Sequence, residues 1–175
     1  MKRLIGGLIF LSLVTIMGCA SSAPLPVYTP NENCRLVSFK PGLEPKGFNG
    51  INWEAELSTV GAMKSYRKDP SHGGIYFYLR AGDGYRLKSG KVIPIEYGFW
   101  QEKFYIGVVM TEQVSDFEAL KESVFEKFGV GAKPFINKEE YLWVGKNVTM
   151  ALRYDEVSKK GTYYIRSHSM EKQMQ

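Results

Sequence analysis

The chain has 175 residues and a formal charge of +5, with 44% hydrophobic and 14% aromatic residues. That composition excludes a disordered chain, and so small and scattered a positive excess, partly owed to Lys2 and Arg3, does not argue for nucleic acid as the partner. The length suits one modest domain that folds without disulfide staples. At the start, Lys2 and Arg3 precede an apolar run from Leu4 to Met17, the order of an export signal. The run falls short of the roughly 20 apolar residues that a membrane span requires.

The run ends in Ile16-Met17-Gly18-Cys19, a small residue directly before a cysteine. This stretch resembles the lipobox of bacterial lipoproteins; the alternative is an ordinary signal peptide with a chance cysteine. The resemblance implies that residues 1–18 are removed, that the Cys19 thiol carries diacylglycerol, and that the new amino terminus is acylated. Each buried methylene contributes about 0.8 kcal/mol and one chain alone binds only marginally, so several chains on one residue would anchor the protein to membrane lipid. Ala20 stands where inner-membrane retention often uses Asp, which implies a periplasm-facing protein of the outer membrane.

With Cys19 lipidated, Cys34 has no internal partner. An odd cysteine in an exported protein points to an intermolecular disulfide or a free thiol. From Cys19 to residue 46 the composition turns to Ser, Pro, Asn and Gly, with Pro24, Pro26, Pro30, Pro41 and Pro45 in one stretch. This reads as a semi-extended tether, within which Arg35 to Phe39 alternates like a short edge strand.

The spacing of residues 47–169 predicts a single α+β domain, followed by a polar tail, 170–175, that frays. Asn52 is placed to cap a helix carrying Trp53, Leu57, Val60 and Met63 on one face, weakened by Gly61. Strands follow at Ile75–Arg80, Val92–Tyr97 and Lys103–Thr111, with Gly98 to Glu102 as a connection. Ser115-Asp116-Phe117-Glu118 reads as a capping box. It opens a helix whose Phe117, Leu120, Val124 and Phe128 share a face and which Gly129 stops. Three more strands follow at Tyr141–Val144, Val148–Tyr154 and Thr162–Ser167. A helix-strand-strand-strand unit taken twice is one reading of this order. It gives an antiparallel sheet of about six strands with two helices packed on one face.

The positions Gly50-Ile51-x-Trp53, Tyr97-x-Phe99, Leu120-Lys121, Phe128-Gly129, Tyr141-x-Trp143 and Leu152-x-Tyr154 resemble a small domain of uncharacterised bacterial envelope proteins. In layout the domain is also similar to helix-and-sheet domains of outer-membrane assembly lipoproteins. Neither resemblance supplies catalytic residues.

Chemistry is sparse in the sequence. Two histidines, His72 and His168, stand far apart, and neither belongs to a nucleophile-elbow or zinc pattern. Asp83 between two glycines lacks the further acidic ligands of a calcium loop and reads as a turn residue. No cofactor motif, metal site or catalytic constellation is expected. The remaining material is aromatic: Phe99 and Trp100 fall in a predicted connection, where exposed rings form binding surfaces, or they fold back as core. The expectation is a non-catalytic domain that binds an envelope protein, in envelope assembly or maintenance. The alternative is a binder of a small ligand, lipid or glycan through an aromatic-rich sheet face.

Overall fold

The computed structural model describes residues 29–174. Cys19 and the lipobox lie outside them. In chain order the elements are β1 (Gly47–Phe48), β2 (Ile51–Asn52), β3 (Met63–Asp69), β4 (Ile75–Arg80), β5 (Tyr85–Arg86), β6 (Val92–Ile93), β7 (Ile95–Trp100) and β8 (Lys103–Thr111). Then come α1 (Val114–Phe128), β9 (Glu140–Val144), β10 (Val148–Asp155), β11 (Lys160–Ser167) and α2 (His168–Gln173). One antiparallel sheet runs β3-β4-β7-β8-β11-β10-β9, and β1-β2 and β5-β6 form two small hairpins.

The expected α+β fold of six strands and two helices is therefore corrected. The described residues are mostly β, 42% strand against 18% helix, with seven strands in the main sheet and one helix of seven or more residues among them. The helix predicted from Asn52 to Met63 does not form. Trp53, Ala55 and Leu57 are turned inward while Glu54, Glu56 and Ser58 are exposed, a period of two. The segment runs along the start of β8, with Glu54 N–H donating to Phe104 O at 2.9 Å and Leu57 N–H to Glu102 O at 2.8 Å. Gly61 then takes a φ of +86°, outside helical space, and Met63 opens β3.

The repeated helix-strand-strand-strand unit fails for the same reason. The triplets β4-β7-β8 and β9-β10-β11 do meet back to back at β8 and β11, but only the second follows a helix. The capping box is absent as well. α1 begins at Val114 after an extended Gln113 with no side-chain cap, so Ser115 lies inside the first turn. Glu118 pairs with Lys121 instead, at 2.7 Å. The buried face of α1 is as the spacing implies: Phe117, Leu120, Val124 and Phe128 are all buried. Such side chains each contribute about 1.5–3 kcal/mol on burial.

The sheet has an apolar cluster on each face. On the α1 face lie Ile95, Tyr97, Phe99, Phe104, Val109, Met150, Leu152, Tyr163 and Ile165. On the other face Ile75, Phe77, Trp100, Tyr105 and Val108 pack with Met170 of α2. Met170 is fully buried, so the segment expected to fray begins as a docked helical turn.

The described part of the predicted tether lies on the domain. Val37 bridges Trp143 in parallel, Phe39 meets Phe128 edge-on at 5.8 Å, and Asn31 N–H donates to Pro134 O at 2.8 Å. Ala132 and Leu142 exchange backbone hydrogen bonds of 2.8 Å on the same outer side of β9. At the opposite rim β3 carries Lys64, Arg67 and Lys68, and its register slips between Ser65 and Arg67.

Candidate functional site

Phe99 and Trp100 are not an exposed surface. β7 runs through Trp100, and the connection shrinks to Gln101 and Glu102, with φ of 47° and 63°. Consecutive strand residues face opposite sides, so the two rings enter different clusters. Phe99 is 1% exposed and packs on Phe104 at 5.4 Å and edge-on to Tyr78 at 5.6 Å. Trp100 is 8% exposed and its indole N–H donates to His72 O at 2.7 Å. The rings that made the sheet look aromatic-rich are largely core: Tyr97, Tyr163, Phe104 and Trp143 are buried.

Cys34 is partly buried, and its thiol is unpaired among the described residues. His72 sits in a tight turn at φ 51°, beside Ser71, whose hydroxyl donates to Asp69 Oδ1 at 2.5 Å. That bond, with the Ser71 backbone N–H donating to the same oxygen at 2.9 Å, holds the Asp69 carboxyl below its ordinary value. His168 lies elsewhere, bonding Thr149 Oγ1 through Nε2 at 2.8 Å and Lys146 O through Nδ1 at 3.2 Å. A carbonyl only accepts, so Nδ1 carries the proton and Nε2 accepts from Thr149. Both nitrogens are then occupied. Among the described residues no three His, Cys, Asp or Glu side chains are grouped to hold a metal, and no helix is long and apolar enough to cross a membrane.

Asp83, read as a turn residue, is also the centre of a network. It accepts from Tyr97 Oη, from Asn49 Nδ2 at 2.6 Å and from Arg80 Nε at 2.7 Å. Burial alone would raise its carboxyl pKa, but these bonds outweigh it and hold the value low. Burial, with Asp83 adjacent, pushes Tyr97 up to about 12. The network fastens the β1-β2 hairpin to β4 and β7.

Two features went unread in the sequence. The first is on the sheet face opposite α1, where the register aligns Met110, Thr162, Arg153 and Glu140 across four strands. None of these belongs to either apolar cluster, and Met110 is 38% exposed. Arg153 is half-buried, and its Nε is shielded from solvent without an acceptor. Its Nη2 donates to Tyr164 Oη at 3.3 Å, with the guanidinium 5.3 Å from that ring. Glu140 stands directly opposite but pairs with Lys138 at 2.5 Å. The other arginines that touch the sheet are matched: Arg67 with Glu96 at 2.7 Å, Arg80 with Asp83 at 2.6 Å and Arg166 with Glu171 at 3.1 Å. The available signal was a charged residue alternating with Leu152 and Tyr154, which reads as an ordinary outward position.

The second feature is a groove of about 730 Å³ between the 42–46 segment, residues 53 and 54, the β9-β10 turn and α2. Trp53 forms part of its wall, stacked on Phe104 at 5.1 Å and fixed by its indole N–H to Pro45 O at 3.0 Å. Ser167, His168, Ser169, Lys46, Lys146 and Lys172 line the rest, with Glu44 and Glu54. Residues from four separate stretches converge here, which no local motif could have announced. Comparison of the chain with models of protein families, with curated proteins and with solved structures finds no significant match.

Proposed function

We propose that this chain is a lipid-anchored protein of the bacterial cell envelope, held through Cys19 on the periplasmic side of the outer membrane. Its domain acts by docking an envelope protein rather than by catalysis. The observation that carries the docking reading is Arg153: a half-buried guanidinium on a polar row of the sheet, without a carboxylate within ion-pair distance among the described residues. An unmatched, partly desolvated cation is costly to keep. A partner that brings a carboxylate to Arg153 and an apolar side chain to Met110 offsets that cost. The occupied nitrogens of His168 and the separation of its contacts from those of Ser71 and His72 fit a binding role.

The anchor is tested by mass spectrometry of the amino-terminal peptide, which should carry acyl chains on Cys19 and lose them in Cys19→Ala. Docking is tested by placing a photoreactive amino acid at position 110 in intact cells, with position 157 as the control. Val157 is 75% exposed and lies in the β10-β11 turn. A discrete adduct from 110 that disappears in Arg153→Ala supports the proposal; equal adducts from both positions, or none from 110, refute it.

A further inference from the structure

The groove beside Trp53 has an unbalanced hydrogen-bonding inventory. Its two carboxylates are engaged: Glu44 Oε1 accepts the backbone N–H of Asn147 at 2.6 Å and of Val148 at 3.2 Å. Glu54 Oε1 accepts from Ser169 Oγ at 2.5 Å. Because Ser169 donates there, its 2.8 Å contact with Ser167 has Ser167 as donor. His168 is committed to Thr149 and the Lys146 carbonyl, as described. The excess charge is cationic, three ammonium groups against two carboxylates. Lys46, Lys146 and Lys172 line the groove, and none has a carboxylate within 4.0 Å among the described residues.

A cavity whose three ammonium groups outnumber its two carboxylates, each of which already holds a donor, favours an anion rich in acceptors. Phosphate oxygens fit that demand, and charge-assisted bonds to them are short and strong. The groove is far larger than a bare phosphate and falls within the 300–1,000 Å³ range, approximately, of small-molecule sites. The fixed indole of Trp53 gives the remainder of a ligand an apolar wall that costs no side-chain ordering. We infer that the groove binds a phosphate-bearing ligand, its phosphate held by Lys46, Lys146 and Lys172 and its organic part lying beside Trp53. The ligand is either a soluble phosphoester or a phospholipid headgroup. This site shares no residue with the Met110–Arg153 row, so the two stand or fall separately.

Intrinsic fluorescence tests it, because Trp100 and Trp143 are buried while Trp53 is half-buried on the groove wall. Full-length protein in a nonionic detergent is titrated with glycerol phosphate or glycerol, and in parallel with phosphatidylglycerol or diacylglycerol. The expected result is a saturable change in emission with a phosphate-bearing probe and none with its phosphate-free counterpart. Saturation with glycerol phosphate assigns a soluble phosphoester; saturation confined to phosphatidylglycerol assigns a headgroup. Replacing Lys46, Lys146 and Lys172 together by Gln should weaken binding roughly tenfold or more. All three are exposed, so circular dichroism of the variant should be unchanged. Equal responses to the phosphate-free probes, no saturation with either phosphate probe, or unaltered affinity in the folded triple variant would overturn the inference.

Discussion

The ring of Phe48 fills the space that a side chain at Gly107 would need. A methyl group on Gly107 would stand 2.1 Å from Cδ1 of that ring and 2.6 Å from Cγ. Phe48 is itself buried, at 7% exposure, and meets Tyr163 edge-on at 6.1 Å. β8 thus carries a glycine in mid-strand because the β1-β2 hairpin packs its ring directly onto the sheet.

Gly107→Ala should therefore destabilise the fold by about 1–3 kcal/mol through overpacking, measured by urea unfolding. Phe48→Leu in the same chain should recover part of the loss, because the two sites share one volume. A change within experimental error in the single variant would show that the hairpin is free to lift away.

A second prediction concerns acid. The Asp83 carboxyl is held low in the folded chain, and its unfolded value is about 3.9. Its contribution is complete above the unfolded value and is lost as pH falls through the lower folded value. Asp83→Asn should cost about 2 kcal/mol at neutral pH, the scale of hydrogen bonds to a charged group. Below about pH 4 the gap to wild type should narrow. A gap that stays constant down to the acid transition would mean the carboxylate charge contributes nothing. At the alkaline end the sign reverses: Tyr97, Tyr105 and Tyr141 are each raised to about 12, chiefly by burial. Stability present below their ordinary value of about 10 should fall as pH rises from there to the folded values.

The β7-β8 turn offers a gain. Gln101 and Glu102 both adopt positive φ, a conformation suited to Asn-Gly. Gln101→Asn with Glu102→Gly should raise stability by about 0.5–1 kcal/mol. Calorimetry reads this as a higher Tm; a lower one would mean that the native side chains make contacts worth more than the strain.

Arg153 separates stability from function. Arg153→Leu removes a guanidinium with a shielded, unbonded Nε and should leave the fold as stable or up to about 1–2 kcal/mol more stable. The same variant should lose the adduct at position 110. A clear loss of stability would make Arg153 a structural residue and remove the reason to look for its partner.

Much of the sheet was legible because its strands are bounded by turn residues and rich in aromatic and branched side chains. Ile75–Arg80 and Lys103–Thr111 were read with their observed bounds, and the buried face of α1 followed from spacing alone. β3 was missed because an edge strand need not alternate: Lys64 to Lys68 are all exposed. Trp53, Leu57, Val60 and Met63 mimicked a helix because an alternating extended stretch and a 3₁₀ turn happen to place apolar residues three and four apart. The Met110–Arg153 row and the lysine groove depend on strand order and on where the N-terminal segment docks. Neither is encoded within any short window.

The two rims of the sheet differ in kind. β9 is closed by the chain's own segments at Val37 and Ala132, while β3 has no further strand beside it among the described residues but carries Lys64, Arg67, Lys68 and a register slip. Open, flat, uncharged rims are the templates on which copies of a β protein add to one another. This chain presents one sealed rim and one repulsive, irregular rim. Where many copies crowd together, both rims disfavour growth by strand addition.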